Sequence, residues 1–223
     1  MHASRILLFA LLPLFASCQV FSEKPKVDSV KHSRLQGELS LDAGQLLFRP
    51  CQEQRRFVIA NDGATGIMRD AAELLADGPG PLFADLRGQL AASQRAGIDG
   101  QLTLSRVYRL QREGQGCDDA NFKRTILRAS GQEPGWSVVV GSQGLVLNRA
   151  GQQPLALPYL EEQLPEGRLN LTSEANGQHL ELWAAPQRCV DSMSGAVQHM
   201  SAELRLNGEV MRGCAYFGGA RDD

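Results

Sequence analysis

Two Asn-Gly dipeptides, at residues 176–177 and 207–208, constrain the fold of this chain more than any other feature. Asn and Gly tolerate the positive φ angles of the tight turn that joins two antiparallel strands. Both dipeptides stand beside runs in which apolar and polar residues alternate, a pattern that places one face of each strand against a core. The C-terminal half is therefore predicted to be an antiparallel β-barrel or sandwich. The alternating leucines beside the two turns are Leu180, Leu182, Leu204 and Leu206.

Residues 34–119 show the same alternation with one interruption. A helix is predicted from about Gly66 to Asp77, because apolar residues recur there at helical spacing, Thr65 can cap its start, and Gly78 and Pro79 end it. Strand patterns flank this helix on both sides. Short strands with one inserted helix indicate a small antiparallel barrel, predicted to be OB-like. The apolar stripe of the helix is Met68, Ala71, Leu74 and Leu75.

Four cysteines follow residue 18: Cys51, Cys117, Cys189 and Cys214. An even number in an exported chain indicates a disulfide framework, for which three pairings are possible. The turn-rich stretch at 114–119 would end a first domain, and on that division Cys51 pairs with Cys117 and Cys189 with Cys214. The predicted fold class is mainly β, with two small antiparallel β-barrel-like domains, the first OB-like with one short helix, each tied by one disulfide. The predicted domains are an OB-like β domain over 34–119 and an antiparallel barrel or sandwich over 120–223.

The N-terminal residues resemble the leader of a bacterial lipoprotein. Arg5 precedes an apolar run of about ten residues, which is too short to span a bilayer. Leu14-Phe15-Ala16-Ser17-Cys18 is similar to the lipobox, in which lipid is attached to the thiol before cleavage, although Phe15 stands where leucine is usual. The resemblance implies a signal peptide over residues 1–17 and lipid attachment at Cys18. An ordinary signal peptide with an incidental Cys18 is the alternative.

The residues after Cys18 suggest where the protein is anchored. Gln19 stands where Asp would favour the inner membrane, so the lipoprotein resemblance implies the periplasmic face of the outer membrane. Residues 18–33 contain little apolar matter and are predicted to form a tether. The leader holds one of the 23 basic residues and none of the 25 acidic ones, so the mature chain carries a net charge of −3. With no basic cluster, nucleic acid is excluded as an expected partner.

Catalytic signatures are sparse. A serine hydrolase needs an activated serine with a histidine and a carboxylate, and no GxSxG motif occurs. Ser192 or Ser194 with His179 or His199 is the conceivable set. Solvent-facing polar residues on strands and loops are the favoured interpretation of these side chains. We therefore expect a protein that is not an enzyme and binds no cofactor.

A metal site has a slightly better case. His179 and Glu181 lie on one face of a predicted strand, and His199 with a methionine would suit Cu(I). The candidate methionines include Met200, which shares the apolar phase of Leu204 and is explained by core packing. The spacing matches no known metal signature, so no metal is predicted. The methionines considered are Met193, Met200 and Met211.

The stretch from Cys189 to Gly195 is the most unusual in the chain, because small polar residues surround Met193 directly after a cysteine. It would form either a recognition loop stiffened by a disulfide or a tight crossover held by turn-forming residues, the interpretation we favour. Trp136 would likewise be a ligand anchor or, at the start of an alternating strand, a core residue. The candidate binding residues are Asp191, Ser192, Met193, Ser194, Gly195, Glu133 and Trp136.

Residues from about 128 onward resemble an uncharacterised family of proteobacterial envelope lipoproteins. The resemblance rests on Ala129-Ser-Gly-Gln-Glu-Pro-Gly-Trp136, Cys189-Val-Asp-Ser-Met-Ser-Gly195 and Gly213-Cys214, in that order. Family members often have Asn in place of Gln132 and an aromatic residue in place of Gly135. The resemblance implies an envelope location and supports pairing of the last two cysteines.

Two further resemblances are more local. Leu82-Phe-Ala-Asp-Leu-Arg-Gly88 is loosely similar to the OB-like domain of the NlpE envelope-stress lipoproteins, but their CxxC motif is absent, so redox and copper sensing are not implied. Ser194-Gly195 is similar to part of the inhibitory loop of membrane-bound inhibitors of c-type lysozyme. In that loop a Tyr follows, and here Gln198 or His199 stands near its place.

The expected function is that of a non-catalytic binding module at the outer membrane. The expected partners are the membrane, through the lipid anchor, and an envelope protein or a cell-wall component. The alternative is an inhibitor of a lysozyme-type wall hydrolase.

Overall fold

A computed structural model describes residues 31–61 and 63–221. The predicted signal peptide, Cys18 and most of the predicted tether (18–33) lie outside the described residues. Within them, no helix is long and apolar enough to cross a bilayer. The chain is mainly β. The strands are β1 (Ser33–Asp42), β2 (Gln45–Pro50), β3 (Phe57–Asn61), β4 (Leu82–Ala91), β5 (Gly100–Gln111), β6 (Thr125–Gln132), β7 (Gly135–Gly141), β8 (Gly144–Arg149), β9 (Leu155–Leu157), β10 (Leu160–Gln163), β11 (Leu169–Ala175), β12 (Gln178–Val190), β13 (Val197–Leu206) and β14 (Glu209–Phe217), with one helix, α1 (Ile67–Ala76).

The first five strands close into a barrel, called here the OB-like barrel. Its order is β1-β2-β3-β5-β4, with β4 returning to β1, and every pairing is antiparallel except β3 with β5. Helix α1 lies between β3 and β4 in the chain, as the sequence predicted. The OB-like prediction is therefore confirmed. Closure depends on close approach: a Cβ on Gly37 would lie 2.2 Å from the carbonyl oxygen of Arg49 on the neighbouring strand.

Helix α1 differs from its prediction at its start. Gly66, in a left-handed conformation with φ of 71°, is the N-cap, while Thr65 ends a short 3-10 turn. Glycine adopts this conformation without a steric penalty, so it permits the sharp entry into the helix. The buried face also shifts: it contains Ile67 and Asp70, whereas Met68 is 40% exposed.

The remaining strands form the C-terminal sheet, an antiparallel array in the order β9-β8-β7-β6-β14-β13-β12-β11-β10. Both Asn-Gly hairpins are confirmed, joining β11 to β12 and β13 to β14. Asn176 and Asn207 have φ angles of 55° and 51°, and the glycine after each is also at positive φ, as such a turn requires. The C-terminal sheet continues the barrel directly, because β13 also pairs with β5 through Val197 and Gln198.

Two hydrophobic clusters lie under this continuous sheet. One fills the OB-like barrel and includes Leu39, Phe48 and Leu102, while the other lies under the C-terminal sheet and includes Leu127, Trp136 and Leu204. Val197, from β13, packs in the barrel cluster, and Tyr108, from β5, packs in the other. Strands from each side therefore contribute side chains to the cluster of the other, and the described residues from 31 to 221 group as one compact unit. The division into domains at 34–119 and 120–223 stays a prediction.

Both predicted disulfides are present. Cys51 is bonded to Cys117 and closes a loop with a sequence separation of 66. Cys189 is bonded to Cys214 across a separation of 25 and joins the end of β12 to β14. The first crosslink ties the barrel to the segment that leads into the C-terminal sheet.

An ion pair with a fully buried carboxylate joins β1 to β4, and the same arginine also contacts the end of the last strand. Arg34 donates to both carboxylate oxygens of Asp85, at 2.9 and 2.8 Å, and Asp85 is fully buried. The same guanidinium donates to the carbonyl oxygens of Phe217, at 2.6 Å, and Gly218, at 3.0 Å. Its carbon also lies 3.8 Å from the ring centroid of Tyr108. One cation thus holds β1, β4 and the C-terminal segment together.

Candidate functional site

A cleft opens where the OB-like barrel meets the C-terminal sheet. It consists of two adjoining cavities of about 440 and 510 Å³, and three side chains line both of them. These are Arg106, Arg188 and His199. A concave site of this size at the junction of two cores, with a few polar groups among apolar ones, is typical of ligand binding. We call the surface formed by the following residues the junction cleft: Asp70, Ser105, Arg106, Arg188, His199 and Arg221.

An irregularity in β12 places Arg188 in the cleft. The pairing of β12 with β13 shifts register between Pro186 and Cys189. Bulges of this kind redirect a side chain, and here Arg188 donates two hydrogen bonds, of 3.1 and 2.8 Å, to Asp70 of helix α1. Hydrogen bonding to Asp70 raises the pKa of Arg188 above its usual value. Asp70 is buried and also accepts two hydrogen bonds from Arg69, so its carboxylate pairs with two arginines.

Aromatic rings form the opposite side of the cleft. His199 packs edge-on against Tyr108, with ring centroids 4.9 Å apart, and lies 5.2 Å from the ring of Phe217. Its Nδ1 is 3.1 Å from the backbone oxygen of Tyr108, and because a carbonyl oxygen only accepts, this contact requires a proton on Nδ1. Arg221 lies over Phe217 at 4.6 Å and pairs with Glu161 at 2.9 Å. The cleft therefore offers cations beside aromatic surface.

The predicted loop after Cys189 is rigid. Asp191 is 8% exposed, and its Oδ1 accepts hydrogen bonds from the backbone of Met193 and Ser194 and from the Ser194 hydroxyl, at 3.1, 2.8 and 2.8 Å. Its Oδ2 accepts one from Gln132 at 3.2 Å. Burial opposes ionisation, but these hydrogen bonds outweigh it and lower the pKa of Asp191. The loop is thus held as a tight crossover, while Met193 is 77% exposed at its tip.

Replacing Asp191 with alanine is expected to lower the free energy of unfolding by about 2–3 kcal/mol, because several charge-assisted hydrogen bonds are lost at a buried position. Asp191→Asn, which keeps an acceptor oxygen, is the control and should lose less. The wild-type and Asp191→Ala proteins should also differ in how the free energy of unfolding depends on pH. A carboxylate with a lowered pKa stabilises the native state fully above about pH 4, and that contribution is lost as the pH falls through the folded-state pKa. Urea unfolding at pH 3 and pH 6 measures both effects, and an Asp191→Ala protein that keeps the wild-type pH dependence would contradict the assignment.

The other candidate binding residues lie apart from the cleft. Trp136 is 4% exposed and packs in the hydrophobic cluster under the C-terminal sheet, so it is a core residue and not a surface ligand anchor. Glu133 stands beside it, in the turn between β6 and β7, and is exposed. Trp136 therefore offers no open surface that it could share with the exposed Glu133. Ser192 and Gly195 remain in the loop around Asp191, and Gly195 lies against Leu74 of helix α1.

The residues considered for catalysis or metal binding are engaged elsewhere. Ser194 donates to Asp191, and His199 contacts the backbone of Tyr108. Met200 and Met211 are buried in the hydrophobic cluster, as the alternation of Met200 indicated. His179 contacts Glu174 and Glu181 at the surface. In the part of the chain that the structure describes, no three His, Cys, Asp or Glu side chains come together as a metal site would require.

Sequence reasoning missed the junction cleft. Arg106 and Arg188 are isolated arginines on strands far apart in the chain, and neither belongs to a motif. The register shift in β12 that brings Arg188 to Asp70 follows Pro186, and a proline within a strand pattern is the one local signal of such an irregularity.

No family model, curated protein or solved structure matches the chain.

Proposed function

We propose that this protein is an outer-membrane lipoprotein, anchored at Cys18, that acts as a non-catalytic binding module for an envelope protein or a cell-wall component. The proposed location is supported by the lipobox resemblance of residues 14–18 and by Gln19. Membership of the envelope lipoprotein family is part of the same proposal. The binding role is carried by one observation, the junction cleft. It is concave, large enough for a side chain cluster or small ligand, and combines cations with aromatic surface.

The surroundings of the cleft favour binding without large rearrangement. Asp70 of α1 holds Arg188, and the edge-on contact with Tyr108 of β5 holds His199. Side chains already fixed in place lose little conformational entropy when a partner arrives, so more of the interaction energy appears as affinity. The Cys189–Cys214 disulfide further restrains the strand end that carries Arg188.

Site-specific photo-crosslinking in cells tests this proposal. A photoreactive amino acid at Ser105, an exposed residue of the cleft, should capture one abundant envelope partner, identified by mass spectrometry. The same amino acid at Glu174, exposed on β11 outside the cleft, is the matched position control. A Cys18→Ser version tests the anchor and should lose the membrane-bound product.

The expected partner should disappear from the Ser105 crosslink when Arg188 is replaced with alanine, and should persist when Arg55, an exposed arginine paired with Glu53 on the barrel, is replaced. Crosslinks at Ser105 that are no more specific than those at Glu174 would overturn the assignment of the cleft. Equal membrane retention of the Cys18→Ser protein would overturn the anchor.

The rigid loop with exposed Met193 favours inhibition of a lysozyme-type wall hydrolase as a second candidate function. A loop that is already fixed in its bound shape is what a tight inhibitor presents to a cleft, because little entropy is lost on binding. The purified protein should then protect bacterial cell walls from lysis in a turbidity assay, and Met193→Asp should abolish protection. Full lysis at saturating wild-type protein would exclude this candidate.

A further inference from the structure

A second concave surface lies on the outer face of strands β12, β13 and β14. We call it the Trp183 groove, a depression of about 460 Å³ lined by Arg168, Trp183, Gln187, Glu203, Arg205 and Arg212. It is separate from the residues that define the junction cleft. The groove exists because a row of large side chains stands next to a row of small ones on the same sheet face.

Strand register explains this shape. Trp183, Glu203 and Arg212 lie opposite one another across the three strands, and the next outward row contains Ala185 and Ser201. On β14 the register partner of Ser201 is Cys214, while Gly213 beside it also lines the groove, and a Cβ on Gly213 would lie 1.9 Å from the carbonyl oxygen of Ser130. No larger residue fits there without moving the neighbouring strand. The floor therefore stays low beside the indole.

Trp183 is the main apolar feature of the groove. Its side chain keeps about a third of its surface exposed, at 36%, although a residue of this size is usually covered. The indole N–H donates to Glu181 at 3.0 Å, and the guanidinium carbon of Arg205 lies 5.9 Å from the ring centroid. These two contacts fix the orientation of the ring. The chain thus presents a rigid, partly exposed aromatic surface at the edge of a groove.

The polar walls are also fixed. Glu203 accepts two hydrogen bonds from Arg205, at 2.9 and 2.8 Å, and one from Arg212 at 3.2 Å. Hydrogen bonding to Arg205 lowers the pKa of Glu203, so its carboxylate is ionised at neutral pH. Gln187 accepts from Ser201 across the floor at 3.4 Å. The groove therefore holds donors and acceptors side by side in set positions.

The charges in and around the groove balance. Three arginines, Arg168, Arg205 and Arg212, are matched by three carboxylates that lie within 4 Å of them, Glu166, Glu203 and Glu181. A strongly anionic ligand would be repelled by Glu203 in the lining and by the carboxylates beside it, and a cationic ligand would be repelled by the arginines. A neutral ligand with many hydroxyl groups suffers neither repulsion, because each hydroxyl both donates and accepts a hydrogen bond.

We propose that the Trp183 groove is a glycan-binding site that takes a sugar ring of a neutral oligosaccharide against the Trp183 indole. The C–H face of a pyranose ring is apolar and flat enough to pack on an indole, while its hydroxyls lie at the rim, where Arg205, Glu203 and Gln187 stand. The inference rests on the proposed function only in naming the natural ligand, a glycan of the cell wall. Binding itself is a property of the groove.

Titration with defined oligosaccharides tests the site on the full chain. The probes are the tetramer of N-acetylglucosamine, the β-linked tetramer of glucose, and tetragalacturonic acid as an anionic comparator. The chain has two tryptophans, and because Trp136 is buried, a saturable change in tryptophan fluorescence reports on Trp183. At least one neutral tetramer should bind saturably and at least tenfold more tightly than the acid at low salt.

Calorimetry with variants locates the binding. Trp183→Ala should weaken it at least tenfold, and Trp183→Phe should retain part of it, because a smaller aromatic face remains. Glu203→Gln should weaken binding as well, since Arg205 and Arg212 lose their shared partner. Arg49→Ala, which removes an exposed arginine paired with Glu38 on the OB-like barrel, is the matched control and should bind as the unaltered protein does.

Three results would overturn the inference: no saturable binding of either neutral tetramer, tighter binding of the acid, or neutral-tetramer binding unchanged by Trp183→Ala. The photo-crosslink at Ser105 is measured in the same Trp183→Ala protein. A crosslink that persists while no sugar binds rejects the glycan site and leaves the proposed binding module intact. If a glycan binds while Ser105 captures no specific partner, the glycan site stands and the junction cleft is rejected as the binding site for an envelope partner. Preference for the acetylated tetramer over the glucose tetramer would identify a wall-type glycan as the natural ligand.

Discussion

Replacing Asp85 with alanine is expected to lower the free energy of unfolding by about 3–5 kcal/mol, because it leaves the Arg34 guanidinium at a largely buried position without its carboxylate partner. The Asp85 side chain is fully buried, and that of Arg34 is 18% exposed. Gln36, which is half-buried, also donates to Asp85 at 3.2 Å, so the substitution removes the acceptor of a second polar group. Denaturation in urea, followed by far-ultraviolet circular dichroism, measures the loss.

Asp85→Asn separates charge from shape, because asparagine fills the same space and keeps one acceptor oxygen. It should be less destabilising than alanine. The matched surface control is Glu53→Ala, which removes an exposed carboxylate paired with Arg55 and should cost less than about 1 kcal/mol. If Asp85→Ala and Glu53→Ala were equally mild, the ion pair between β1 and β4 would not be a main determinant of stability.

Removing the Cys51–Cys117 disulfide by a double alanine substitution is expected to cost about 4 kcal/mol, because the closed loop spans 66 residues and its loss frees the unfolded chain. The Cys189–Cys214 disulfide closes 25 residues, and removing it should cost about 3.5 kcal/mol. Thermal and urea unfolding of each double variant, in a Cys18→Ser background that prevents mispairing, give the two values.

The pair of variants acts as an internal comparison. The chain-entropy explanation requires the longer loop to lose more stability than the shorter one. A larger loss for the Cys189–Cys214 variant would show that the native contacts around that crosslink, between the end of β12 and β14, matter more than loop length. Unchanged unfolding of both variants would contradict any stabilising role.

Local patterns predicted the elements of this fold well. The Asn-Gly hairpins, the alternating strands and the helix after β3 are confirmed, and each depends on a few neighbouring residues. Both disulfide pairs are also confirmed, and their prediction depended on the even cysteine count together with the turn-rich stretch at 114–119. The start of α1 was less well predicted, since Gly66 rather than Thr65 occupies the cap. The buried face of α1 also differs from its prediction. Burial depends on which elements pack against the helix, and the local sequence does not contain that information.

The long-range features were beyond such patterns. The parallel pairing of β3 with β5 and the junction between β5 and β13 are decided by which strands meet in space. The same holds for both concave surfaces. Arg188 reaches the junction cleft through a register shift, and Trp183 stands beside a groove because Ala185 and Ser201 in the neighbouring row are small. Trp136, which a motif had drawn attention to, is a core residue.

The contact between Arg34 and the backbone of Phe217 and Gly218 has a consequence for the timing of folding. The donor and the Gly218 acceptor are separated by 184 positions, so the first strand of the barrel receives part of its support from a segment that follows it by most of the described chain. In a polypeptide that emerges from a ribosome or a translocation channel N-terminus first, this contact cannot form until residues 217 and 218 have emerged. Early segments remain loosely held until then. A chain shortened before β14 would therefore keep every strand of the OB-like barrel and still lack this contact.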